Sequence, residues 1–126
     1  MKPMFVILSK LFGRARLESL IKMEKVVFEP LGNILGNTYD NAMIIIDESQ
    51  NTTPNQMMAL LTRTGERSKV VVCGDYRKQK FIAGRDGLED AVKRFNDTPG
   101  VSRVDFGIED IVRSGFCRLA VIAYET

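Results

Sequence analysis

Met43-Ile44-Ile45-Ile46-Asp47-Glu48 places an unbroken hydrophobic run directly before two carboxylates. A buried strand made from that run would fix both acids rigidly at its end. Successive residues aim differently, so one carboxylate can hold a magnesium ion through its water shell while the next orients an attacking water. The same letters also describe a buried strand that ends in two solvated acids, and the run alone leaves both readings open.

The residues that follow extend the signal. Asp47-Glu48-Ser49-Gln50-Asn51-Thr52-Thr53-Pro54 puts a Gln three places after the Asp, where it can contact a terminal phosphate or the attacking water. Four hydrophobics followed by Asp-Glu form the Walker B pattern. Asn51, Thr52 and Thr53 need do no more than cap the next helix. Downstream, Val70-Val71-Val72-Cys73 reads as a second buried strand that delivers Gly74 and Asp75. Helicase-like ATPases place a phosphate-sensing segment at the end of such a strand. A plain turn, with Gly for a positive φ and Asp for a local hydrogen bond, is the competing reading.

A third cluster is basic. Arg77, Lys78, Lys80 and Arg85, interleaved with Tyr76 and Phe81, suit single-stranded DNA or RNA through stacking and phosphate contact. A solvated loop, or one that faces ATP phosphates, fits the same residues.

Composition narrows the chemistry. The chain of 126 residues contains no histidine, which removes Ser-His and Cys-His nucleophile pairs and every His-containing zinc site. Cys73 and Cys117 form no CxxC pair, cannot make an all-cysteine zinc site, and read as reduced thiols. Any metal is therefore expected to be a hard cation held by oxygen, with magnesium the first choice. A net charge of +2 does not by itself point to nucleic acid. Met4 to Leu8 is far shorter than the roughly 20 apolar residues of a membrane span. No membrane role is expected, and the cytoplasm is the default location.

The elements that must position these residues follow from pattern. Two helices, 4–12 and 15–23, break near Gly13. Val26-Val27-Phe28 is a strand candidate stopped by Pro30, and 31–41 reads as a loop with turns. Strands at 42–46 and 69–73 are of the type buried on both faces of a parallel sheet. Thr53-Pro54-Asn55-Gln56 opens a helix with a capping box and a first-turn proline, and Gly65 is a natural stop. Asp86-Gly87-Leu88-Glu89 opens another, running to Phe95. Val101 to Phe106 alternates like a half-buried strand, and helices at 108–114 and 116–125 close the chain. Alternating strands and helices indicate an α/β fold with a mostly parallel sheet in one domain, 1–126. Ligands bind such sheets beyond the carboxyl ends of the strands. Asp47-Glu48 and Gly74-Asp75 should share that rim.

Asp47 to Pro54, Gly74-Asp75, Gly87-Leu88-Glu89-Asp90-Ala91 and Asp110-Ile111-Val112-Arg113, in that order, resemble the PhoH family. These are phosphate-starvation-type P-loop ATPases related to superfamily 1 helicases, with viral versions common, phage proteins among them. The resemblance runs from about Pro3 onward. It implies a three-layer, RecA/helicase-like P-loop NTPase fold, incomplete at the N-terminus, and an ATP hydrolase using magnesium. It implies that Asp47 helps coordinate magnesium and that Glu48 is the general base. By the same resemblance Gln50 senses the γ-phosphate and Asp75 belongs to the coupling segment. Gly74 and Lys78 would also lie by the nucleotide, and Arg113 would neutralise charge on the transferring phosphoryl group. A viral member would work in the host cytoplasm.

Two departures shape the expectation. Family members carry a phosphate loop, GxxxxGK[ST], upstream of this region. The nearest string here is Gly32-Asn33-Ile34-Leu35-Gly36-Asn37-Thr38, without its lysine or spacing. Leu35 and Asn37 also stand where relatives often carry arginines. The family's Gln after Gly-Asp is replaced by Lys78, with Gln79 one place late. The chain, starting near the family's middle, is expected to be a truncated or split version, inactive alone. An N-terminal half or a neighbouring subunit would then supply the phosphate loop. A non-catalytic module that binds nucleic acid or protein is the alternative. An unrelated magnesium-dependent phosphoryl-transfer enzyme ranks last.

Overall fold

The computed structural model describes residues 2–75 and 84–125. Two compact units divide the chain, 1–94 and 95–126.

In the first unit, α1 (Lys2–Phe12) and α2 (Arg14–Lys22) pack against each other. Gly13 separates them at φ 81, a left-handed conformation that a side chain would strain. Leu17 of α2 is fully buried, and Phe5 of α1 meets Phe28 with ring centroids 6.1 Å apart.

Strand β1 (Met43–Ile46) and strand β2 (Lys69–Val72) pair in parallel, with Met43 opposite Lys69 and Ile46 opposite Val72. Helix α3 (Pro54–Leu61) makes the crossover between them. Its start is the expected capping box. Thr53 Oγ1 accepts the Gln56 N–H at 3.2 Å, and Gln56 Oε1 accepts the Thr53 N–H at 2.9 Å, with Pro54 in the first turn. Helix α4 (Gly87–Arg94) packs on α3. It opens on buried Asp86, whose Oδ1 accepts the Glu89 N–H at 2.6 Å. Met57, Leu60 and Leu88 from these helices, with Ile46, form most of the buried apolar set.

Among the described residues the sheet is covered on one side only. Ile46 is buried and Ile44, Val70 and Val72 are half-buried, whereas Met43, Ile45 and Val71 are exposed. Register places that exposed set on one face. Burial of both faces, expected from the unbroken apolar runs, is therefore not found among the described residues. The α/β class with a parallel strand pair holds.

Three expected elements differ. Val26–Phe28 forms no strand, and Phe28 packs on a helix instead. Val101–Phe106 also forms none, and residues 108–114 hold a single 3-10 turn, Ile108–Asp110, in place of a helix. A strand exists only where a neighbour completes its hydrogen bonds, and none is found among the described residues of the second unit. Residues 31–41 contain a 3-10 turn, Leu31–Gly36, and a bridge from Tyr39 to Thr64. The second unit ends in α5 (Gly115–Glu125), where Ser114 Oγ accepts the Cys117 N–H at 3.3 Å.

Candidate functional site

Parallel pairing brings the carboxyl ends of β1 and β2 side by side. Asp47 and Glu48 leave β1, and Cys73, Gly74 and Asp75 leave β2. The Cys73 N–H donates to Ile46 O at 2.8 Å, which carries the ladder one step past the strands. Ser49 then clamps the two exits together. Its N–H and its Oγ both donate to the Cys73 carbonyl, at 3.0 and 2.7 Å.

Glu48 adopts φ 51, ψ 39, the left-handed region that non-glycine residues rarely occupy. Such strain persists only where surroundings hold it. The Glu48 N–H is donated to Asp47 Oδ1 at 3.0 Å, and Glu48 Oε2 accepts Gln50 Nε2 at 2.6 Å. Both acids are exposed.

Gln50 is buried, and both ends of its amide are engaged: Nε2 by Glu48, and Oε1 by the Asp75 N–H at 3.2 Å. The contact to a terminal phosphate expected for Gln50 thus competes with two protein partners. Gly74 is required here for closeness, not for a positive φ. A β-carbon on it would lie 2.5 Å from Gln50 Oε1 and 2.8 Å from Ser49 Oγ.

Thr52 is buried and does more than cap. Its Oγ1 donates to Ser49 O at 2.7 Å, and its carbonyl accepts the Gly87 N–H at 2.6 Å. A β-carbon on Gly87 would sit 2.5 Å from Thr52 Oγ1, so the start of α4 presses directly on the rim segment. Buried Ser49 and Thr52 were not legible as a network; the run of small polar residues after the two acids was the only trace.

Charge around the rim is uneven. Burial, then the charge of Asp47, pushes the Cys73 thiol above its ordinary value. Buried Asp90 is bracketed by Arg94 at 2.7 Å and Arg85 at 2.9 Å. The Arg94 hydrogen bond and the charges of Arg85, Arg94 and Lys93 outweigh its desolvation and hold its carboxyl below the usual range.

The remaining candidates are placed as follows. Arg85 is spent on Asp90, so its expected role toward nucleic acid meets a competing ion pair. Arg77, Lys78 and Lys80 lie outside the described residues. Arg113 is exposed in the second unit. Among the described residues no group of three or more Asp, Glu, Cys or His side chains is placed to hold a metal. The donor chemistry of adjacent exposed Asp47 and Glu48 nevertheless fits magnesium, which is commonly held by one or two carboxylates together with water and substrate phosphates. No described helix is long and apolar enough to cross a membrane.

Comparison with known proteins places the chain in a family. The family described as PhoH-like protein matches residues 1–125. The chain belongs to the PhoH-like family. It is 37% identical to "Protein PhoH" of Escherichia coli (strain K12), covering 98% of this chain and 36% of that protein. It is 32% identical to a "PhoH-like protein" of Bacillus subtilis (strain 168), covering 99% of this chain and 40% of the relative. A "PhoH-like protein" of Mycobacterium tuberculosis (strain ATCC 25618 / H37Rv) is 33% identical over 98% of this chain. The chain therefore spans well under half the length of these PhoH-like relatives.

Proposed function

We propose that this chain supplies the Walker B and sensor half of a PhoH-like ATPase site, with the phosphate loop contributed by another segment or subunit. The observation that carries the reading is the shared rim: Asp47 and Glu48 from β1 stand beside Gly74 and Asp75 from β2, clamped by Ser49. Family membership supports an ATPase-like activity.

In this reading Asp47, with Glu48 beside it, would hold magnesium, which when bound neutralises charge on the nucleotide phosphates. Glu48 accepts the proton of the attacking water. Its left-handed backbone and its bond to Gln50 hold the carboxylate ready, which is the preorganisation that a general base needs. Gly74 lets the β2 exit approach Gln50 and Ser49 closely, and Asp75 belongs to the segment that responds to nucleotide state. Arg113 is the candidate cation for the phosphoryl group, and Lys78 a further nucleotide contact. The three-layer, RecA/helicase-like architecture belongs to the same proposal. The open sheet face of Met43, Ile45 and Val71 supports it, because such a face gains stability when a further layer covers it.

The test is reconstitution. A segment carrying GxxxxGK[ST] from a PhoH-like relative is mixed with this chain, and phosphate release from Mg-ATP is followed. Activity that needs both parts and is lost in Glu48→Gln supports the reading. Activity that survives Glu48→Gln removes Glu48 from the role of base.

A further inference from the structure

Glu48 and Asp75 leave different strands and have one side chain in common, that of Gln50. The amide of Gln50 can serve both in one orientation only. Carboxylate Oε2 of Glu48 only accepts and the N–H of Asp75 only donates, so Nε2 must face the first and Oε1 the second. Turning the amide over would create two repulsions at a side chain that is only 3% exposed. Gly74 seats the carbonyl end, and the Ser49 clamp on Cys73 O fixes the backbone beneath it. The acid at the other end stands on strained backbone, at φ 51. A strained residue tied to a buried group with a single usable orientation is well suited to pass a displacement on.

We propose that Gln50 is a positioning residue that fixes the Glu48 carboxylate and transmits its position to the Gly74–Asp75 segment. The two strand exits then respond together when a ligand pulls on either. The importance of that coupling rests on Glu48 being the base; the coupling itself does not. The physical requirement for such coupling is a contiguous set of contacts with a shared element, and the chain Glu48–Gln50–Asp75 supplies it in two hydrogen bonds.

Amide hydrogen exchange on the full chain, without nucleotide, reads the relay directly. The Asp75 N–H is the reporter. The Lys69 N–H, bonded to Ala42 O, and the Gly65 N–H, bonded to Tyr39 O, report the fold at a distance. In Gln50→Leu, Asp75 should exchange about tenfold faster, the scale of one lost hydrogen bond. In Glu48→Ala it should exchange several-fold faster as well, although that change touches only the far end of Gln50. Glu48→Gln, which keeps an acceptor for Nε2, should return Asp75 to near its original rate. Lys69 and Gly65 should be unaltered in both Glu48 variants. Should Gln50→Leu fail to fold, the exposed Glu48 pair still decides. Unchanged Asp75 exchange in Glu48→Ala would overturn the relay, and so would equal acceleration at Lys69 and Gly65. Neither result bears on ATP hydrolysis, so the half-site reading would stand or fall separately.

Discussion

Gly74 and Gln50 stand so close that a β-carbon on the glycine would lie 2.5 Å from Gln50 Oε1. Gln50 is buried and its Oε1 is already bonded to the Asp75 N–H, so moving the amide aside would cost that bond. Gly74→Ala should therefore cost about 1–3 kcal/mol through overpacking. Gly36→Ala, where nothing lies within 4 Å, should cost well below that. Urea midpoints of the two variants make the comparison; equal midpoints would mean that the rim yields freely.

Thr53→Val removes the hydroxyl that accepts from Gln56 and keeps the size of the side chain. The crossover helix should lose its N-terminal cap at about 1 kcal/mol. Thr53→Ser should restore most of it. Thermal unfolding of both variants tests this, and a Thr53→Val protein as stable as its parent would count against the cap.

Ile45 and Ile46 are neighbours in β1 with opposite fates. Ile46→Ala empties a buried site and should cost about 2–5 kcal/mol. Ile45→Ala, on the open face, should cost less than about 1 kcal/mol in the chain alone. Chemical denaturation checks the pair. A large cost at Ile45 would show that the open face is covered in solution, for instance by a second copy.

Asp90 makes stability depend on acid. Its carboxyl, depressed by Arg94 and by the charges of Arg85 and Lys93, binds protons less readily folded than unfolded. The stabilisation is fully present above the ordinary carboxylate value of about 3.9 and is lost as pH falls through the lower folded value. Asp90→Asn should flatten the fall in urea midpoint between about pH 4 and pH 2. An unchanged slope would mean that the two arginines are screened by water.

Much of this was legible in the sequence because it depended on local pattern. Gly13 breaks two helices, Thr53 to Gln56 caps α3, Asp86 caps α4, and two apolar runs pair in parallel. Parallel strands share a carboxyl end, so the meeting of Asp47, Glu48, Gly74 and Asp75 followed from the pairing alone. What was not legible depended on distant partners. The alternation in Val101–Phe106 shows which side chains would share a face, not whether a neighbouring strand exists. Exposed Val104 and Phe106 report that burial is missing there. Nothing local to Gln50 reveals that an amide 25 residues away donates to its carbonyl. Gly74 invited a positive φ, since a close approach leaves no mark on sequence.

The most direct test of the half-site account is a titration of the purified chain with a fluorescent ATP analogue and magnesium, alone and with a PhoH-like segment that carries GxxxxGK[ST]. The account predicts no binding by the chain alone at millimolar nucleotide, and binding with phosphate release once the segment is added. Micromolar binding and hydrolysis by the chain alone would contradict it, because the phosphate loop would then be dispensable.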